Sequence, residues 1–589
     1  MIKMICLHYL TELGDKYINP SSTRATIRKI VQQTTCHSPR VLINTTTGRL
    51  HDRAEQASAF ESLPIFNELV SSTRARIDHV RIKREVRQYF RYVMLSHKWE
   101  ENEPLFQQVV HIAVYDLDKS PTHDKLQMFC KIVRDAGFDW AWSDTCCINK
   151  SDHFVLQEAL VAMFKWYQGS AMAIVFLRGV RSSSPRSALV KSIWNTRAWT
   201  LQEYIASKVI HFYTEDWTPY LDLQLPNHKD SPEVITEMEH ATGVSAQQLM
   251  VLRPGLSSIR EKLRLASARR TTLVEDAAYS LLGIFSVTGI PAIYGEGEGS
   301  LGRLLAHVLT GSGDVSILAW TGESGSYNSC LPAKITVFTG PATSHLPSAE
   351  MQRIITLDSS SFDLDMALRL YDRLNELPAP WFVANRMKLS CIAFQLPPLS
   401  HYTTLSGHVY RTDTAAFGMV EIKTRHDLSS MESLYLVHPW LDTLLEREAK
   451  SNVIVKDDVA PLPSPNTDDD EISDEGIEDD EKFFGVDDND NDNDEFFDAH
   501  DDFPSLAELE LPSQHTPMHM VPVDRATRAQ QLVTRLRQPF GALLLTLAST
   551  GGRTVDYKRV AGDSLITVRL QEDVSLADIL DNVRTLDVL

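Results

Sequence analysis

The chain has 589 residues, 43% hydrophobic and 23% charged, the make-up of a globular protein too long for one core and expected to divide into several domains. Its net charge of −20 is local, because 19 carboxylates and one lysine lie between Asp468 and Asp502 and leave the remainder near −2. That near-neutral body argues against nucleic-acid partners, and seven scattered cysteines without a CxxC pair argue against a disulfide framework or a zinc site.

Taken in chain order, PRVLINTTTGRL (39–50) predicts a short strand and turn, and residues 55–90 carry apolar spacing near 3.6, the period of a helix. YVMLS (92–96) is the first core strand and runs into His97, Lys98 and Trp99. A helix over 125–136 should stop at Gly137, followed by a strand over 140–144. Leu156, Leu160, Phe164 and Tyr167 share one face of a helix over 154–167. A strand over 171–177, a helix over 199–207 and a strand over 209–213 complete the run. Strands separated by helix-length crossovers predict neighbouring parallel strands, with chemistry beyond their carboxyl ends. Residues 232–309 read as mainly helical around a turn-rich 283–302. Beyond Asp314 short β-like runs dominate, among them SILAW, KITVF, MKLSCIAF, GMVEIKT and SLYLVH, then FGALLLTLA, YKRVA and SLITVRL, with LADIL closing the chain.

Two motifs invite chemistry and are better explained without it. Gly297, Gly299 and Gly302 form a literal GxGxxG. A dinucleotide turn needs a strand feeding it and amides that meet phosphate unopposed, whereas Pro291 interrupts the preceding run and Glu296 and Glu298 bring carboxylates. A structural turn is expected. DDNDNDNDE (487–495) spaces oxygen ligands as a calcium loop does, but lacks the glycine that an EF-hand turn requires. A solvated, disordered acidic linker is expected there.

Cys146–Cys147 ends a strand, where small buried thiols are commoner than nucleophiles; His97 is the base a reactive thiol would need. Glu203 is the sharper candidate. It follows Trp199 by four residues, so both lie on one helix face, and a carboxylate beside indole in a partly apolar crevice has its pKa raised. The alternative is that Glu203 pairs with Arg197 and only ties the helix down.

YVMLSHKW (92–99), WAWSDTCCINK (140–150), QEALVAMFKWYQGSA (157–171) and TRAWTLQE (196–203) together resemble the fungal heterokaryon-incompatibility (HET) domain, in order and spacing. SARRTTLVEDAAYSLLGIF (267–285), IYGEGEGSLGRLL (293–305) and the segment from PFGALLLTLA onward resemble the basidiomycete members. HET cores are similar to Toll/interleukin-receptor (TIR) domains, some of which hydrolyse NAD through a glutamate in a Trp-Cys-x-x-Glu helix start. That glutamate would fall on Glu203, although Thr200 stands where the cysteine is usual.

The resemblance implies an α/β fold: a TIR-like parallel sheet flanked by helices, then a helical extension and a β-rich C-terminal module with a disordered acidic insert. Expected segments are a helical lead-in (1–90), the HET domain (91–220), the extension (221–312), a β-rich module (313–456), the linker (457–525) and a β-rich C-terminal part (526–589). It implies an effector or adaptor in fungal self/non-self recognition and programmed cell death. Two rivals are a NAD glycohydrolase and a non-catalytic module for homotypic assembly. Glu203 would be catalytic, with Ser96, Trp99, Asp144, Asn149, Arg197, Trp199 and Gln202 binding substrate. No cofactor is required, NAD enters only as substrate, and the partners would be proteins or further copies of the chain. With no run of 18 apolar residues and no leader-like N-terminus, a cytoplasmic protein without a membrane span is expected.

Overall fold

The computed structural model describes residues 19–72, 77–340, 363–404, 407–431, 433–440, 525–549 and 555–589. These belong to one compact unit. The acidic insert, expected to be disordered, lies outside the described residues.

The lead-in holds helices α1 (Pro20–Thr35), α2 (Arg53–Glu61), α3 (Pro64–Ser72) and α4 (His79–Tyr89), packed around Ile27, Phe60, Leu69 and Val86. Between α1 and α2 the chain forms a hairpin, β1 (Val41–Asn44) and β2 (Leu50–Asp52). Its turn is fixed by Asn44 Oδ1, which accepts from the amides of Thr46 and Thr47, and by Gly48 at φ +71°. β1 then joins the main sheet antiparallel, pairing Ile43 with Ala141, so this hairpin belongs to the sheet and not to a purely helical lead-in.

The main sheet continues with β3 (Tyr92–His97), β4 (Trp140–Trp142), β5 (Met172–Leu177) and β6 (Ile210–Thr214), in the order β2-β1-β4-β3-β5-β6. The last four are parallel neighbours. Every residue of β3, β4 and β5 is buried, as expected of parallel strands with helices on both faces. The crossovers are α5 (Pro121–Asp135), α6 (His153–Gly169) and α7 (Trp199–Ala206). Ser120 caps α5 through His123 N, with Pro121 in the first turn, and Gly137 ends it at φ +84°. Asp152 caps α6 by accepting from Phe154 N and Val155 N.

The chain leaves β3 for β4 on one side and reaches β5 on the other. The carboxyl edge of β3 is therefore a topological switch point, where neighbouring loops diverge and leave a crevice.

The extension contributes α8 (Pro232–Thr242), α9 (Ala246–Val251), α10 (Ile259–Ser267) and α11 (Gly299–Ser312). It packs tightly on α6, since a Cβ on Gly283 would stand 2.2 Å from Phe164 Cβ. SILAW and KITVF are not strands: Val315–Leu318 and Ile335–Thr339 are 3₁₀ turns. Asp314 starts the first by accepting from Ser316 N at 3.0 Å. A short buried apolar run does not by itself distinguish strand from helical turn.

Beyond these, α12 (Leu364–Asn375), β7 (Trp381–Val383), β8 (Arg386–Gln395), β9 (Ser400–Thr404), β10 (Gly407–Thr414), β11 (Gly418–Thr424), β12 (Leu434–Pro439), α13 (Arg525–Leu536), β13 (Phe540–Ser549), β14 (Asp556–Arg559), β15 (Ile566–Val568), α14 (Leu576–Asp581) and β16 (Val583–Val588) follow. β12 pairs with both β13 and β8, while β13 pairs with β14, β14 with β16, and β16 with β8. Five strands thus close into a ring that removes their free edges. Strands from either side of 441–524 interleave in it, Leu436 opposite Leu544 and Ser390 opposite Thr585. One continuous core runs from the parallel sheet through the extension into this ring.

Candidate functional site

The switch point carries a crevice of about 830 Å³. β3 delivers His97, Lys98 and Trp99 to it, the turn after β4 delivers Asp144 and Lys150, α7 delivers Trp199 and Glu203, and the extension adds Arg270, Asp276 and Tyr294.

Glu203 lies at its floor, 7% exposed. Ser96 donates its hydroxyl to Glu203 Oε2 and accepts from Trp194 Nε1 at 2.7 Å, so the indole fixes the direction of the hydroxyl. Burial raises the Glu203 carboxyl to about 8. The Ser96 bond opposes this, nearby Asp144 adds to it, and Arg197 and Arg269 pull it back. No ion pair joins Glu203 to Arg197 among the described residues. The tie to the extension comes instead from Arg269, whose buried guanidinium donates to Arg197 O at 2.9 Å, Thr200 Oγ1 at 2.8 Å and Asn195 Oδ1 at 3.0 Å.

At the opposite wall Trp99 donates Nε1 to Asp144 Oδ2 at 2.6 Å, and the Lys150 ammonium lies 3.4 Å above the Trp99 ring. His97 is buried with Nε2 at 3.6 Å from Glu103 and Nδ1 at 4.0 Å from Asp144, both too long for hydrogen bonds. Burial and the cations Lys125, Arg197 and Lys150 push His97 well below its ordinary value, so it is neutral at pH 7. Both its ring nitrogens, Asp144 Oδ1 and Lys150 Nζ are buried without a hydrogen-bond partner. Buried polar atoms are normally satisfied, and four unsatisfied ones in a single crevice mark a place built for a polar ligand or ordered water.

Of the residues singled out from sequence, Trp99, Asp144, Arg197, Trp199 and Glu203 line the crevice. Ser96 acts from behind Glu203. Asn149 does not reach it: its side chain accepts from Gln107 at 2.8 Å and faces a smaller cavity behind β4. Gln202 is buried elsewhere, 1% exposed, because neighbouring helix positions point about 100° apart. Sequence reasoning missed Lys150, Trp194, Arg270 and Tyr294 as site residues. Lys150 ends the quoted WAWSDTCCINK block and was legible there; Tyr294 and Arg270 come from a different segment and were not. Cys146 is fully buried with its thiol pushed well above the ordinary value by Cys147 and burial, which removes the thiolate a nucleophile needs. The glycine turn is held by protein: Gly295 N and Gly297 N both donate to Glu275 Oε1, and a Cβ on Gly302 would meet Tyr327 at 2.3 Å.

The domain is thus a parallel α/β sheet with a crevice at its switch point. Residues 92–187 match the family model described as Heterokaryon incompatibility protein (HET). The chain is also similar to Vegetative incompatibility protein HET-E-1 of Podospora anserina, 34% identical over 228 residues, 36% of this chain. The match spans 16% of that relative's length. No solved structure matches. Among the described residues no helix is long and apolar enough to cross a membrane.

Proposed function

We propose that this protein is an effector of fungal heterokaryon incompatibility and cell death, and that its TIR-like crevice cleaves the nicotinamide–ribose bond of NAD. The observation that carries the reading is Glu203, held by Ser96 and Trp194 at the floor of a crevice walled by Trp99, Trp199 and Tyr294. Nicotinamide in NAD is a flat cation. Beside Glu203 and Asp144 it adds positive charge to that of Arg197 and Lys150, which favours the ionised forms of both carboxyls.

As the C1′–N bond breaks, its electron pair passes to the ring and neutral nicotinamide leaves. The Glu203 carboxylate stabilises the positive charge developing on the ribose. Water then adds to C1′, and the Glu203 carboxylate, whose raised pKa makes it the stronger base in the crevice, takes its proton. Trp99 and Trp199 offer flat faces to the rings. Nicotinamide release from NAD by purified protein tests this directly. Release by the parent and loss of release in Glu203→Gln is the expected result; equal release from both, or none from the parent, rejects it.

Self-assembly is the second reading. Phe154 and Val161, seven residues apart on α6, are 72% and 51% exposed, an apolar stripe on the outer face of a helix. A concentration-dependent rise in particle mass that Phe154→Ser removes would support it.

A further inference from the structure

A second cavity, of about 600 Å³, lies on the other side of α7 from the crevice. Trp199 and Glu203 face forward, whereas Leu201, Tyr204 and Ile205 of the same helix line this rear space, closed by α8, α9 and α10. Its walls are apolar and polar in about equal measure. Its charged groups are Lys208, Lys229 and Arg253 against the single carboxylate of Asp230, a net positive lining.

Lys229 is the centre of it. Its ammonium lies 4.7 Å from the Tyr204 ring centre and donates to Ser207 O at 2.5 Å, and the carboxylate of Asp230 acts on it. The Tyr204 side chain is half-buried in the same wall. Burial lowers Lys229 to about 8, Arg253 adds to this, and Asp230 opposes it. A half-buried ammonium and a phenol on one wall of a net positive cavity offer an anion a charge and two hydrogen-bond donors.

We infer that this rear cavity is a binding site for a small organic anion with a flat apolar body, its charged head on Lys229 and Tyr204 and its body against Leu201 and Ile205. The inference does not depend on NAD cleavage.

Calorimetric titration of the full chain with naphthoate, naphthyl phosphate and the neutral naphthamide tests it. At least one anion should bind with one-to-one stoichiometry, about tenfold or more tighter than the amide; the tighter anion identifies carboxylates or phosphate monoesters as the class. Lys229→Met should weaken that anion about tenfold while Lys229→Arg retains it, and Glu203→Gln should leave it unchanged. Tyr204→Phe, which keeps the ring, should weaken it too and serves if Lys229→Met does not fold. Equal binding of anion and amide, no binding of either anion, or a folded Lys229→Met that binds like the parent overturns the proposal.

Discussion

Ser96 donates its hydroxyl to the Glu203 carboxylate across two elements 107 residues apart in sequence, the end of β3 and the middle of α7. The same hydroxyl accepts from Trp194, so indole, hydroxyl and carboxylate form one directed chain. It sets where Glu203 points and how readily it ionises.

Removing the middle link has a defined outcome. Ser96→Ala leaves the buried Trp194 N–H and one carboxylate oxygen unpaired, and should cost about 1–3 kcal/mol in urea unfolding. It also removes the bond that lowers the Glu203 pKa. The alkaline rise of any Glu203-dependent activity should therefore move to higher pH; an unshifted profile would show that the hydroxyl does not govern Glu203.

Stability should carry the signature of a carboxyl raised from 4.5 to about 8. Between those values the folded chain holds a proton that the unfolded chain has released, so this group makes stability fall as pH rises towards 8 and level off above it. Glu203→Gln cannot titrate. Its melting temperature should exceed the parent's by a margin that grows from pH 5 to pH 8, and a margin constant with pH would contradict the burial argument.

Behind His97, Lys125 is ion-paired with Glu103 and Glu100, with side chains 2% and 5% exposed for Lys125 and Glu103. Lys125→Met strands a buried carboxylate and should destabilise by about 3–5 kcal/mol. Lys125→Met combined with Glu103→Gln removes both charges and should recover a large part of that loss. If the double variant is as unstable as the sum of the singles, the pair is not coupled.

The acidic insert is expected to contribute little to folding. Strands on either side of 441–524 pair with one another in the five-stranded ring, and roughly halving the connection by deleting 457–502 changes closure entropy by only about 0.6 kcal/mol. The deletion should leave the melting temperature within a few degrees of the parent; a large drop would mean that the insert packs on the body.

Much of the parallel sheet could be read locally. β3, β4, β5 and β6 are short apolar runs ending in polar residues, and α6 carries a face repeated at 3.6, so period and length reported both the element and its burial. SILAW and KITVF read as strands in the sequence but form 3₁₀ turns at 315–318 and 335–339, because a four- or five-residue apolar run has no period to measure and only packing chooses its conformation.

The sequence by itself determined that Glu203 shares a helix face with Trp199, that the strand ends carry His97 and Asp144, and that the negative charge is confined to one segment. These follow from spacing and composition within a few turns of chain. Only tertiary structure decided that Trp194 and Ser96 stand behind Glu203, that Tyr294 and Arg270 arrive from the extension, and that Asn149 and Gln202 turn away. It also decided that strands on both sides of the acidic segment close one ring. The reason is physical: side-chain direction within an element is set by its own backbone period, whereas which elements meet is set by burial of their apolar faces, a property of the whole chain.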